Sequence, residues 1–505
     1  PACGSGWRRV SLYGELPPGT HLVAAPQATG PVRVRVTTEA GTTTAYDGAT
    51  AALPAALPLG VDGDEPVLAR LDLEADDCAR WDGAALQRLA RPSPPPVPPV
   101  RNVALIVIDT LRSDRLAPYG PTRVQTPRMT ALAARGAVFL QHQSMAPSSP
   151  PSHATIHSGQ IPRVHGVIGD DTEPGATTPI LAALLGDAGF FTAFVGNNDF
   201  AMTRLRRAAG WDVAETPYYR HGKDCGPMMA RAVELAGQAV AAGQRFFLST
   251  LPIEPHVAYR FHEGVTDTYF AGPWPKPIGK QASSKSLGRM KTLPGDHPDW
   301  ARVRALYDGE VTHVDACVGA LEDGLRELGV LDDTAIVITS DHGEGMGERK
   351  GAAGHAYSLN RELVDVPLIV AGGVSPARVP SPSSNLDVAP TILALLGLPA
   401  DPRMQGRTLT VDAAGEHGRG WWPASGRSHA LRLSHWHLVV DYAGRGRLYD
   451  RVRPAELTDR VADAPLAARA LRDAQRLYLA HRSDWRGATW GDLGALAPGN
   501  PLVAE

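Results

Sequence analysis

A chain of 505 residues, with a formal net charge of −3 and 20 % charged residues, is long enough for more than one domain and at least one full core. The near-neutral balance excludes a polybasic nucleic-acid binder. No apolar run reaches the roughly eighteen residues that a membrane-spanning helix requires.

The opening "PACGSG" starts at Pro1 and is read as the start of an exported, periplasmic or extracellular chain from which a leader has been removed. Cys3 is then a candidate lipid-attachment residue. The other cysteines are Cys78, Cys225 and Cys317, and no two form a CxxC pair. That spacing excludes a thiol-rich zinc site and leaves any disulfide pairing open.

Residues 1–90 alternate in the manner of strands. "VRVRV" (Val32 to Val36) and "VLARLDL" (Val67 to Leu73) place apolar side chains on one face, between Gly-, Pro- and Thr-rich turns. This predicts a β-sandwich accessory domain without visible chemistry. The run "RPSPPPVPPVR" at 91–101 is a stiff polyproline spacer and the clearest boundary in the chain.

Residues 102–400 read as an α/β domain. "NVALIVIDT" is a short β-rich run ending in Asp109, and "TPRMTALAARGAVFL" is a helix with Pro127 near its start and Gly136 at its end. "PILAALLGDAGFFTAFVG" repeats helix, glycine stop and strand. "RFFLSTL" and then "VTHVDACVGALEDGLRELGVLDDTAIVITSDHGE" do so again. Strands alternating with helices predict a parallel sheet covered by helices on both faces. Residues 260–300 form a long Gly/Pro-rich insertion carrying Lys276, Lys280, Lys285 and Lys291, read as a solvated loop or as a basic lid. Residues 401–505 predict an α+β subdomain, with an antiparallel hairpin over 429–450 and then a helix rich in Ala, Leu and Arg.

Ligands of open α/β sheets collect beyond the carboxyl ends of the strands. Asp109 ends one predicted strand, and Asp341 and His342 end another. Two carboxylates and an imidazole there suit one divalent cation, with Ser149 of "SSPPSHATIHSG" as a further oxygen ligand. A metal beside a hydroxyl lowers its pKa and makes it a nucleophile at neutral pH. Taken singly, each acidic residue reads equally well as a cap or turn, and Ser149 as one more loop serine.

The ordered segments "NVALIVIDTLRSDRLAPYG", "TPRMTALAARGAVFL", "PSHATIHSGQIPRVHGV", "YDGEVTHVDACVGALEDGLRELGVLDDTAIVITSDHGE", "VDVPLIV", "LDVAPTILALLGLP" and "LYD" resemble the sulfatase family of the alkaline-phosphatase superfamily. The resemblance implies an alkaline-phosphatase-like α/β domain with a smaller C-terminal α+β subdomain. It also implies a metal beside a loop-borne nucleophile that attacks a sulfuryl or phosphoryl group. Carried over by residue, it makes Asp109, Asp341, His342 and Ser149 metal ligands. Ser149, His153, His256 and His355 become candidate catalytic residues, and Asn197 and Asn198 candidate substrate contacts.

Several positions depart from the family. Its motif reads Cys or Ser, any residue, Pro, Ser or Ala, then Arg, whereas this chain has Ser149, Pro150, Pro151, Ser152, His153. Thr110 replaces the second residue of an Asp-Asp pair. Asn197 and Asp199 stand where a lysine and a histidine are usual. Leu251 stands where a histidine often precedes the His256 position by five residues. "DTLRSDRL" and "PSHAT" lie close to the branch holding phosphonate monoester hydrolases and transferases with an unmodified hydroxyl nucleophile. This favours an unmodified Ser149 over formylglycine.

The expected cofactor is one divalent ion. A nitrogen ligand beside carboxylates favours Mn²⁺ or Zn²⁺ over Ca²⁺. The expected activity is hydrolysis of a small-molecule or glycan sulfate ester. The alternatives are a phosphodiester or phosphonate monoester hydrolase or phosphoryl transferase on the same site, and a binding protein that kept the fold without catalysis.

Overall fold

The computed structural model describes residues 7–16, 19–24, 30–61, 67–75, 85–88, 97–169, 172–198, 201, 210–216, 224–349, 351–356, 358–409, 424–425, 428–433, 436–441, 444–450 and 458–480. Cys3, Cys78, Asp199 and the first part of the proline run, 91–96, lie outside the described residues. The chain divides into two compact units, one of 1–93, 414–422 and 429–505, the other of 94–413 and 423–428.

In the first unit, β1 (Arg8–Leu16), β3 (Pro31–Thr38), β4 (Gly41–Ala49) and β6 (Val67–Ala75) form an antiparallel sheet in the order β1-β6-β3-β4. A second sheet holds β2 (Thr20–Val23) between β5 (Leu57–Pro58) and β7 (Ala85–Arg88). The predicted alternation is present. Val32, Val34 and Val36 are buried, while Arg33 and Arg35 turn outward to Asp47 and Glu74. Leu22 and Leu57 share one apolar cluster with Val34, Leu71 and Leu73, which joins the two sheets. Near the chain end, β21 (Trp436–Asp441) pairs antiparallel with β22 (Gly446–Asp450), after β20 (Ser428–Leu433) and before helix α8 (Pro465–Ala480).

The second unit is built on one eight-stranded sheet. Its strands are β8 (Asn102–Ile108), β9 (Ala137–Gln143), β10 (Phe191–Gly196), β11 (Val213–Glu215), β12 (Phe246–Leu251), β15 (Thr334–Ser340), β18 (Leu368–Ala371) and β19 (Ala377–Ser384). The order is β11-β10-β12-β8-β15-β18-β9-β19. All pairings are parallel except the two made by β18, so the sheet is mixed at that one strand. The short strands β16 (Gly345–Met346) and β17 (Ala353–Gly354) pair antiparallel outside it. β8 and β15 lie side by side at its centre with every residue buried, as expected of strands covered on both faces.

Helices α1 (Pro127–Ala134), α3 (Leu181–Asp187), α4 (Cys225–Ala241), α6 (Pro298–Glu327) and α7 (Val388–Leu395) follow the predicted alternation. They fall into two apolar clusters. One takes Ile106 and Ile338 with Met228 and Leu321, the other Val107 and Val337 with Leu181 and Ile392. Neighbouring residues of β8 and β15 thus alternate between two helical layers, because successive strand side chains point to opposite faces.

The insertion at 260–300 is packed against the domain and is not an open loop. β13 (Tyr259–Arg260) pairs with β14 (Gln281–Ala282), helix α5 (Ser284–Met290) follows, and Tyr269, Ile278, Leu287 and Met290 are buried in the first cluster. Its lysines are exposed, and Lys280 Nζ lies 4.0 Å over the Phe261 ring. Apolar residues spaced through a Gly/Pro-rich segment anchored it, which composition alone did not show.

Cys225 and Cys317 form a disulfide across 92 residues, joining α4 to α6. The spacing had hidden this proximity, because local motifs register only sulfurs that are close in sequence. Among the described residues, no helix is long and apolar enough to cross a membrane.

Candidate active site

The register of β8 against β15 pairs Ile108 with Ser340, so the next residue of each strand, Asp109 and Asp341, leaves the sheet at the same edge. Asp341 Oδ1 accepts from the amides of Thr110 (3.0 Å) and His342 (2.8 Å). Its carbonyl accepts from the hydroxyls of Ser144 and Ser152, and Asn385 Nδ2 donates to Ser152 Oγ (3.2 Å) and the Ser340 carbonyl (3.1 Å). Thr110 carries a φ of +60°, a conformation β-branched residues rarely adopt, and Tyr307 Oη holds its carbonyl at 2.7 Å. The backbone at both strand ends is thus fixed from several directions.

Ser149 is not on a loop. It is the first residue of helix α2 (Ser149–Ser158), followed by Pro150 and Pro151, whose fixed φ suits a first helical turn. Gly159 closes the helix in the left-handed region at φ +62°. Ser149 Oγ lies 3.1 Å from His342 Nε2. The other ring nitrogen, Nδ1, is 2.9 Å from the Gly343 carbonyl, a bond that places its proton there and turns the Nε2 lone pair toward Ser149. Gly343 is required at this turn, since a Cβ would come within 2.2 Å of the Glu362 carbonyl.

Asp109, Asp341 and His342 are all buried and each offers a ligand atom within 4.8 Å of the others, so the three could hold a metal ion. Asp341 Oδ2 accepts no hydrogen bond among the described residues, although His153 Nε2 and His342 Nε2 each lie 3.5 Å away. Such a buried carboxylate oxygen, facing imidazoles with no hydrogen bond, fits a divalent ion. Burial works against the charge on Asp341, but His342 and His153 together hold its carboxyl well below the usual carboxylate range. Burial pushes the His342 imidazole down, toward the neutral form that binds metals.

The remaining predicted residues divide. His355 lies tilted against His342 (ring centroids 4.5 Å) and against His256 (5.0 Å), so three imidazoles form a row that ends at His342, the neighbour of Ser149. His256 Nδ1 lies 2.6 Å from the Val257 carbonyl. Asn198 Nδ2 donates to Asp109 Oδ2 at 2.6 Å and so supports a carboxylate. The Asn197 side chain accepts from the Ile253 amide and donates to Glu254 Oε2 (3.3 Å), which fastens two loops to each other.

Sequence reasoning missed Glu344. It is fully buried, and its Oε1 lies 3.0 Å from His355 Nδ1. Burial opposes charge on His355, yet Glu344, with Asp109 and Asp341 beyond it, raises the imidazole to about 9. The residue stood in plain view in "SDHGE", two positions after His342, but only its partner eleven residues away gives it a role. Arg112 of "DTLRSD" was also unexplained. Its guanidinium donates to the Glu344 carbonyl (2.9 Å) and pairs with Asp114 (2.7 Å) and Glu348, locking the Asp109 loop to the His342 loop.

Comparison with known proteins bears on this geometry. A family model described as "Sulfatase" matches residues 101–398, more than half of the chain. The chain therefore belongs to the sulfatase family, within the alkaline-phosphatase superfamily, and is an ester hydrolase of that family. It is 29 % identical over 356 residues to a choline-sulfatase of Rhizobium meliloti, covering 59 % of this chain and 68 % of that protein. It is 24 % identical over 398 residues to a Δ4,5-hexuronate-2-O-sulfatase of Bacteroides thetaiotaomicron, covering 71 % and 78 %. Among solved structures, a phosphonate monoester hydrolase from Silicibacter pomeroyi superposes with a TM-score of 0.59 at 22 % identity, over 77 % of this chain and 96 % of that one. BT4656, in complex with its substrate D-glucosamine-2-N,6-O-disulfate, gives 0.62 at 17 % identity, over 77 % and 99 %. The structural likenesses establish the fold alone.

Proposed function

We propose that this chain hydrolyses sulfuric esters at a site where Asp109, Asp341 and His342 hold one divalent ion and the unmodified Ser149 hydroxyl is the nucleophile. One observation carries the proposal. Ser149 Oγ, His342 Nε2 and the Asp341 carboxylate converge at the edge of the sheet where Asp109 also ends its strand. Mn²⁺ or Zn²⁺ suits the mixed nitrogen and oxygen donors. When bound, such an ion supplies Lewis-acid stabilisation of developing negative charge and lowers the pKa of a nearby hydroxyl.

The chain's own groups do the rest. His342, oriented through Nδ1 by the Gly343 carbonyl, would give its one free lone pair, on Nε2, to the ion, with Ser149 Oγ 3.1 Å away as the neighbouring oxygen donor. The start of α2 places Ser149 where the helix dipole favours an anionic group. His355 is protonated at neutral pH, with one N–H on Glu344, and supplies the positive charge that the sulfatase family usually draws from lysine. His256, 5.0 Å from His355, is the proton donor to the leaving oxygen. The sulfatases among the relatives support a sulfuric ester, either of a small molecule or of a glycan.

A second reading, a phosphoric or phosphonic ester substrate, is favoured by His153 in the position of the family arginine. His153 lies 3.5 Å from Asp341 and leaves the anion pocket less positive than a guanidinium would. The test is a panel of nitrophenyl sulfate, phosphate monoester, phosphate diester and phosphonate esters with Mn²⁺-loaded protein and Ser149→Ala as the blank. Sulfate turnover that vanishes in the variant supports the first reading, and preference for phosphorus esters the second. Equal rates in wild type and variant across the panel would remove Ser149 from the mechanism. A Ser149 peptide of unmodified mass confirms the hydroxyl, and one of formylglycine mass overturns it.

A further inference from the structure

A second group of metal-binding side chains lies on the helices of the same unit and shares no residue with the site above. Asp224, Cys225, His313 and Cys317 each offer one ligand atom, and the four atoms lie within 4.8 Å of one another. Local geometry explains the convergence. His313 and Cys317 are four residues apart on α6, a spacing that puts two side chains on one helix face. Asp224 caps α4, its Oδ1 accepting from the Gly226 amide at 3.0 Å, and Cys225 opens that helix. A cysteine at the start of a helix has its thiolate favoured by the backbone dipole.

The distances suit a tetrahedral ion. His313 Nε2 lies 3.5 Å from Asp224 Oδ1, near the roughly 3.3 Å edge expected for a tetrahedron with zinc bonds of about 2.0–2.1 Å to nitrogen and oxygen. The His313 ring is oriented by His262, stacked on it at 4.3 Å and 19° and itself held by Glu310 at 2.9 Å. Both sulfurs are buried, whereas His313 is half-buried and Asp224 is exposed, so the ligand set opens to solvent on one side.

We propose that Cys225, Cys317, His313 and Asp224 form a redox-gated site for one zinc-class divalent ion. In the disulfide form each sulfur is bonded to the other and neither is a thiolate. A dithiol reductant opens the site. The Cys225–Cys317 sulfur–sulfur bond breaks and takes up two electrons and two protons, while the dithiol gives up the same and closes to its own disulfide. The ion then displaces the two thiol protons and is held by two sulfurs, one nitrogen and one oxygen. The sulfurs move from bonded contact to about 3.8 Å apart, the edge set by zinc–sulfur bonds of about 2.3 Å.

The test uses the full chain with Cys3→Ser and Cys78→Ser, so that Cys225 and Cys317 are the only thiols. The protein is reduced with a phosphine under argon and titrated with Co²⁺. A thiolate-to-cobalt charge-transfer band reports this site alone, since Asp109, Asp341 and His342 contain no sulfur. The expected result is a band that saturates at one thiolate-bound Co²⁺ per chain in reduced protein, counted beyond the Co²⁺ that oxidised protein takes up without a band, and that bleaches on addition of Zn²⁺. His313→Ala, which keeps both cysteines, is expected to weaken Co²⁺ binding at this band by about tenfold or more, since even outer-shell losses cost that much. A reduced protein without the band overturns the proposal, as does a His313→Ala variant that binds Co²⁺ as tightly as its parent.

Discussion

The Asp109, Asp341 and His342 set and the Asp224, Cys225, His313 and Cys317 set use similar side chains on different scaffolds. The first stands on the ends of two adjacent parallel strands at the centre of the sheet, where every ligand residue is fully buried. The second stands on a helix start and a helix face, where Asp224 is exposed and a disulfide holds the two elements together. Strand ends fix position through ladder register and through the bonds that Ser144, Ser152 and Asn385 make around Asp341. The helix set is held more lightly, by the disulfide, by the stacking of His262 on His313 and by the Gly226 amide on Asp224. Buried ligands resist change and suit an ion retained through chemistry. Half-exposed ones can respond to the solution around them.

The sharpest way to break this contrast is to alter the strand-end set. Ser149→Ala and Asp341→Asn are each expected to lower kcat/KM by roughly 10³-fold or more, measured on the ester that wild type turns over best. Asp341→Asn should also lose the tightly bound ion, read by elemental analysis, whereas Ser149→Ala should retain most of it. If Asp341→Asn kept both metal and turnover, the strand-end set would not be the catalytic one.

Acid should weaken the buried side next. Burial depresses His142, His157 and His165 to about 3 each, while the unfolded chain protonates them near 6.5. Stability from keeping them neutral is present above about pH 6.5 and is lost as pH falls toward 3. The three together contribute a slope of up to about 4 kcal/mol per pH unit. Denaturant titrations between about pH 7 and 4 measure it, and a flat profile would show that these histidines pick up protons without unfolding.

A smaller effect separates the two sets directly. Replacing Cys225 and Cys317 together by serine should lower stability by up to about 4.6 kcal/mol, since the bond closes a loop of 92 residues. The same double variant should leave kcat/KM within about twofold at a temperature where it is folded. A large loss of turnover would mean that the helix set participates in the chemistry.

The smallest effect concerns His355. Its proton is held up to about pH 9, so activity that uses the charged imidazole should fall as pH rises through that value. Glu344→Gln removes the nearest carboxylate and should move the basic limb of the kcat/KM profile to lower pH. A limb that stays in place would assign it to another group.

Much of the candidate site was legible because its residues sit at element ends. Asp109, Asp341 and His342 each follow a run of β-branched residues, and the parallel α/β pattern fixes which edge of the sheet such ends share. The roles of Asn197 and Glu344 were not legible. Asn197 looks like a polar residue ending a strand, yet its amide serves Ile253 and Glu254. Glu344 looks like a turn residue, yet it is buried against His355. Hydrogen-bond partners separated by tens of residues leave no periodic trace. The insertion at 260–300 misled for a related reason, since its buried Tyr269, Ile278 and Met290 are too sparse to show a period.

By itself, then, the sequence determined the alternation of strands and helices and which polar residues close the two central strands, because these depend on short-range periodicity and on the chemistry of single residues. Only the tertiary structure decided that Ser149 opens a helix beside His342, that Glu344 is buried against His355, and that two cysteines 92 residues apart meet near His313 and Asp224. Those are properties of distance in space, which the chain sets only by burying its core and closing the loops between.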